Sequence, residues 1–188
     1  MKKIYLIITL FLLSGCIPKS PHKMNMYDIA INTHYISPTK SEKTVKLKYP
    51  NSLGGVGSSR IYFKRGGITS YYLYSRWSNS LNLMIYKNIL NNLIASNKFK
   101  NVLEYNSVGK SDLLLEIDII DFYHIVEKNR NYLECKIKVN VINAKDSNII
   151  KSKLFNYQED INKADAKHFY KKAVEVINKF TLELMEEL

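Results

Sequence analysis

Residues 113–157 read LLLEIDIIDFYHIVEKNRNYLECKIKVNVINAKDSNIIKSKLFNY, and the period of this stretch decides the fold. Leu115, Ile117 and Ile119 alternate with Glu116, Asp118 and Asp121, and Leu133, Cys135, Ile137, Val139 and Val141 alternate with Glu134, Lys136, Lys138 and Asn140. Alternation of apolar and polar side chains is the mark of a strand with one buried face. Three strands are therefore expected, Leu113 to Ile125, Tyr132 to Ile142 and Ile149 to Tyr157. The polar residues Asn129–Asn131 and Lys145–Asn148 supply the turns between them. Strands joined so closely form an antiparallel meander.

On either side of the meander the period changes from two to nearly four. Leu81, Ile85, Ile89 and Leu93, backed by Met84, Leu90 and Ile94, predict a helix from Ser80 to about Ala95, followed by a short segment from Phe99 to Leu103. Phe169, Ala173, Val176, Ile177, Phe180 and Leu184 predict a second helix over about Asp165 to Glu187, with a stripe that reads as core. Before the first helix, Thr44–Tyr49, Arg60–Lys64 and Ile68–Tyr74 read as strands. Gly66-Gly67 between the last two supplies the positive φ angles of a hairpin turn. Leu53-Gly54-Gly55-Val56-Gly57 lacks the Lys-Ser/Thr ending of a phosphate-binding loop, so a flexible or bulged connection is expected there. Strands, helix, strands, helix without regular alternation give the fold class. It is an α+β, two-layer domain with a largely antiparallel or mixed sheet and two amphipathic helices packed on one face.

The amino terminus has a different character. Two lysines, an apolar run from Ile4 to Leu13 and the small residues Ser14 and Gly15 have the three parts of a secretory signal, and the run is too short to span a bilayer. Residues 1–15 are read as a lipoprotein signal peptide, because Leu13-Ser14-Gly15-Cys16 resembles the bacterial lipobox. That resemblance makes Cys16 the lipidated residue, with diacylglycerol on its thiol and an acyl chain on the new amino terminus. Two or three chains give stable anchoring where one does not. Ile17, in place of Asp, favours the outer membrane over the inner, with the protein facing the periplasm. Residues 16–42, with three of the four prolines, read as the lipidated cysteine and a flexible tether, and residues 43–188 as a single domain.

Charge and cysteine usage fit export. The chain has 28 Lys and Arg against 17 Asp and Glu, spread without a block of like charges, so no nucleic-acid arm is present. The excess suits anionic lipid head groups or an acidic protein partner, or reflects a lysine-rich composition alone. With Cys16 acylated only Cys135 remains, which excludes an intramolecular disulfide, and its place on the apolar side of a strand makes it a small buried hydrophobe.

Signs of chemistry are few. His22 and His34 fall in or near the tether, and His124 and His168 have no partner at metal-ligand spacing, so neither a metal nor a cofactor is expected. Glu116, Asp118 and Asp121 read as a solvated strand face. For a periplasmic hydrolase the best candidates would be Glu116, Asp118 and His124. The one conspicuous cluster is aromatic: Tyr71, Tyr72, Tyr74, Arg76 and Trp77 form a possible partner interface, in which Trp77 alone reads better as a plug between hairpin and helix.

In order of features the chain resembles the ABC-type transport auxiliary lipoproteins of the paraquat-inducible protein C type. The residues that carry the resemblance are His34-Tyr35-Ile36-Ser37-Pro38, Pro50 to Leu53, Arg60-Ile61-Tyr62, Tyr72 to Trp77 with Ser80-Leu81 opening the helix, and the helix ending at Leu188. Two departures are an enlarged glycine-rich loop and Ser78-Asn79-Ser80 in place of the proline-rich step after the tryptophan. The resemblance implies a non-catalytic component of an MCE/ABC-type lipid transport system, held at the outer membrane by its lipid anchor. It would work with an MCE-domain protein and an inner-membrane permease and ATPase, and could form a homo-oligomer. The alternatives are a lipoprotein that aids assembly of a secretion or polymer-export channel, and the hydrolase.

Overall fold

The computed structural model describes residues 23–29 and 35–188; the segment read as a signal peptide and Cys16 lie outside them. Among the described residues are nine strands: β1 (Asn25–Tyr27), β2 (Ser41–Leu47), β3 (Asn51–Ser52), β4 (Arg60–Arg65), β5 (Ile68–Trp77), β6 (Phe99–Leu103), β7 (Leu113–Val126), β8 (Asn131–Asn143) and β9 (Ile149–Asp160). Helix α1 (Leu81–Ala95) precedes β6, and α2 (Ala166–Glu187) follows β9. The helices begin where the sequence places them. Ser80 Oγ accepts from the Leu83 N–H at 3.2 Å, and Asp165 Oδ1 accepts from the His168 N–H at 2.8 Å, so each first turn has a side-chain cap.

Strand β7 organises the sheet. Along one edge β8 pairs with it antiparallel from Leu113↔Asn143 to Val126↔Asn131, and β9 extends this meander. Along the other edge β2, β3 and β4 follow one another in parallel, at Leu113–Leu115, Asp118–Ile119 and His124–Val126. Strands β6 and β1 are also parallel additions, to β2 and β5. The sheet is thus mixed, the second of the two arrangements expected, with the antiparallel pairing confined to the β4–β5 hairpin and the meander. Parallel partners need long crossovers, here more than 60 residues between Thr44 and Asp112.

The apolar stripes meet in one core. Leu115, Ile117, Ile119, Leu133, Cys135, Ile137, Phe155 and Tyr157 from the meander join Leu81, Ile85, Ile89 and Leu93 of α1 and Phe169, Ala173, Ile177, Phe180 and Leu184 of α2. Phe155 meets Phe180 edge-on at 5.0 Å. Between the helices, Thr181 Oγ1 lies 2.8 Å from Asn88 Oδ1 with both residues fully buried, which fixes their relative register through one polar contact.

Two segments depart from the sequence reading. Residues read as tether enter the domain: Asn25–Tyr27 pair with Ser75–Trp77, Tyr27 stacks on Tyr170 at 4.7 Å, and the Ser37 N–H donates to the Ser96 carbonyl at 2.9 Å. The glycine-rich loop, expected to be flexible or bulged, packs tightly against the start of α1. The Ser58 and Gly57 carbonyls accept from the Leu81 and Asn82 N–H groups at 3.1 and 3.3 Å, satisfying donors that the first helical turn leaves free. A Cβ at Gly57 would stand 2.0 Å from Asn82 Oδ1 and 2.3 Å from Ser52 Oγ. Gly57→Ala is therefore expected to push Asn82 off the Pro50 carbonyl that it reaches at 2.9 Å, at a cost of about 1–3 kcal/mol read by urea denaturation. An unchanged midpoint would mean that the loop can give way.

Candidate interaction surface

The aromatic cluster lies on the β4–β5 hairpin, whose turn is made by Gly66 and Gly67 at φ +56° and +80°. Register shows what shapes its surface. Tyr62 pairs with Tyr71 and Arg60 with Arg76, so Ile61 alone on β4 stands opposite Tyr72, Leu73, Tyr74 and Ser75 on β5. This surplus forms a bulge that bends β5 and breaks its alternation.

Each member of the cluster then has a different environment. Trp77 is 1% exposed, with its ring 6.2 Å from both Phe122 and Phe169, so it belongs to the core. Tyr71 is half-buried, with the Arg60 guanidinium 4.4 Å above its ring and Tyr62 edge-on at 6.3 Å. Tyr62 continues to Tyr123, over which Lys64 Nζ sits at 3.7 Å. Tyr72 turns to the other side of the sheet, where its hydroxyl lies 2.7 Å from His124 Nδ1. Tyr74 and Arg76 are exposed, as is Leu73, which the sequence reading missed. Strict alternation would have placed it on the core side with Trp77, so the sequence carried no sign of its exposure.

The residues proposed for a hydrolase are not brought together. Between Ile119↔Ile137 and Asp121↔Lys136, β7 holds one residue more than β8, namely Ile120. Because side chains alternate with period two, one inserted residue exchanges the faces of everything beyond it. Glu116 and Asp118 stay on the polar face, paired with Lys48 and, at 3.3 Å, with Asn51 Nδ2. Asp121 joins that face through Lys136 at 3.1 Å. His124 instead points into the core and stacks on Phe169 of α2 at 5.3 Å, with 10° between the ring planes.

Burial holds His124 neutral. Its pKa is lowered to about 4, mainly by loss of water and further by Arg65, with Asp165 opposing, while burial pushes the Tyr72 phenol up to about 12. Nε2 is buried without a partner among the described residues, so a proton gained there has nothing to meet. The sign of the linkage follows. A histidine whose folded pKa lies below its unfolded value near 6.5 contributes stability above that value, and this contribution is lost as pH falls towards 4. Unfolding free energy is expected to fall across that window by at most about 1.4 kcal/mol per pH unit. His124→Gln should flatten the slope between pH 6.5 and 4.5, and an unaltered slope would assign it to other groups.

Cys135 is fully buried, and its thiol is pushed up by burial, as for an inert core residue. Among the described residues no cluster of His, Cys, Asp or Glu is placed to hold a metal, and no helix is long and apolar enough to cross a membrane.

This arrangement, a many-stranded mixed sheet with two helices, recurs in solved structures. The crystal structure of protein XCC0632 from Xanthomonas campestris, assigned to DUF330, is similar with a TM-score of 0.75 at 16% identity, over 86% of this chain and 92% of that one. An uncharacterised protein is similar with a TM-score of 0.62 at 9% identity, over 88% and 98%. At such identities the likeness is one of fold. No family model and no curated protein matches the sequence.

Proposed function

We propose that this chain is a lipid-anchored, non-catalytic docking component of an MCE/ABC-type lipid transport system at the outer membrane, facing the periplasm. The observation that carries the reading is the Arg76-Trp77 junction leading into Ser80-Leu81, the sharpest local feature of the family that the sequence resembles. Here Trp77 is locked in the core beside exposed Arg76 and Tyr74, a combination of rigid anchor and open polar-aromatic surface suited to docking. The separation of Glu116 and Asp118 from His124 also favours a binding role over the hydrolase.

The test is affinity capture of the tagged, full-length protein from crosslinked membranes. Recovery of an MCE-domain protein with its permease is the expected result. Recovery of a secretin or polymer-export channel instead would replace the reading with the channel-assembly alternative. Genes for an MCE protein, an ATPase and a permease beside this one are expected on the same grounds.

A further inference from the structure

We propose that the sheet edge built from β1 and the bulge of β5 rests on the lipid surface itself. The proposal depends on the reading of Cys16 as the lipid-bearing residue. Exposed apolar side chains gather at this edge: Met24 (41%), Met26 (55%), Leu73 (66%) and Tyr74 (49%). Register places them at one edge, since Met26 pairs with Arg76, and Met24 precedes the Asn25↔Ser75 pair, where β5 enters the bulge that carries Leu73 and Tyr74. Tyr27 and Trp77, the following pair, face the core, so Met26 and Arg76 face away from it.

Two further observations select lipid as the occupant. The first is length. From Cys16 to Met24 the chain advances eight residues, which reach about 28 Å when fully extended. With acyl chains on Cys16 in the bilayer, this edge cannot leave the neighbourhood of the head groups, whereas a tether running to residue 42 would have freed the whole domain. The second is charge. Exposed Lys23, Arg60 and Arg76 lie on or beside β1, β4 and β5, segments in which Asp28 is the one acidic residue, and no Asp or Glu occurs between Glu42 and Glu104. Methionine, leucine and tyrosine flanked by arginine and lysine suit an interface where apolar groups enter the acyl boundary and cations meet phosphates.

The test uses full-length lipidated protein carrying Leu73→Cys, labelled with a small fluorophore. Cys135 is fully buried and Cys16 is acylated, so the new thiol takes the label. The protein is placed in vesicles of phosphatidylethanolamine and phosphatidylglycerol that contain head-group quencher lipids. The expected result is quenching severalfold stronger than for the same label at Val108→Cys. Val108 is fully exposed beside β6, at the other end of the strand order. The difference should shrink without phosphatidylglycerol. Equal, weak quenching at both positions would overturn the proposal. So would shielding of the Leu73→Cys label from a water-soluble quencher without vesicles, which would assign the edge to a second copy of the chain. Release of the protein from vesicles by a carbonate wash would instead remove the anchor reading, and this proposal with it.

Discussion

Trp77→Ala is expected to lower the unfolding free energy by about 3–5 kcal/mol, enough to leave a domain of ordinary stability partly unfolded. Trp77 is the last residue of β5, and its ring is enclosed by Phe122 of β7 and Phe169 of α2. Truncation removes the contact that ties the hairpin, the central strand and the C-terminal helix together, and the cavity borders His124 through Phe169. Trp77→Phe refills part of that volume and should cost less, while Tyr74→Ala at the exposed edge should stay within about 0.5 kcal/mol. Urea denaturation followed by far-ultraviolet circular dichroism separates these outcomes. Equal midpoints for Trp77→Ala and Tyr74→Ala would sink the view of Trp77 as core.

Cys16→Ala is expected to abolish lipid incorporation and stable anchoring. If Leu13-Ser14-Gly15-Cys16 is a lipobox, each acyl methylene adds about 0.8 kcal/mol to partitioning, so loss of two or three chains lowers membrane affinity by many orders of magnitude. Labelled palmitate should enter the parent and not the variant, and the processed form should disappear with it. Palmitate in the variant, or none in the parent, would reject the lipobox. The variant also separates the anchor from the domain's own affinity for lipid, which the exposed edge would supply only weakly.

The parts of the fold governed by local period were legible. Both helices and the β7–β9 meander follow from the spacing of apolar residues, and Ser80 and Asp165 mark helix starts by their capping chemistry. The parallel half was not, because the pairing of Val45 with Leu113 or of Phe63 with His124 leaves no local trace. The bulge on β7 had a sign in the consecutive apolar residues Ile119 and Ile120. Strict alternation read through it grouped His124 with Glu116 and Asp118. Strand β1 is three residues long in a Lys- and Asn-rich context, too short for a period to show, so Met24 and Met26 passed for tether. The exposed surface was legible only in part for the same reason: Tyr74 and Arg76 were found by composition, whereas Leu73 is exposed by a pairing irregularity that composition does not encode.

Strand β7 also sets the order in which the protein can be assembled. β2 and β3 pair with a β7 that lies far downstream, whereas β4 and β5, and β7, β8 and β9, find one another across short turns. Loop closure favours the local pairings, so the meander should gain amide protection before β2 and β3 in pulsed hydrogen-exchange refolding. Simultaneous protection would contradict this order. A chain delivered amino terminus first must then hold β2 and β3 without their β7 partner until the second half arrives; if it is exported as proposed, that passage is the stage at which it most needs a chaperone.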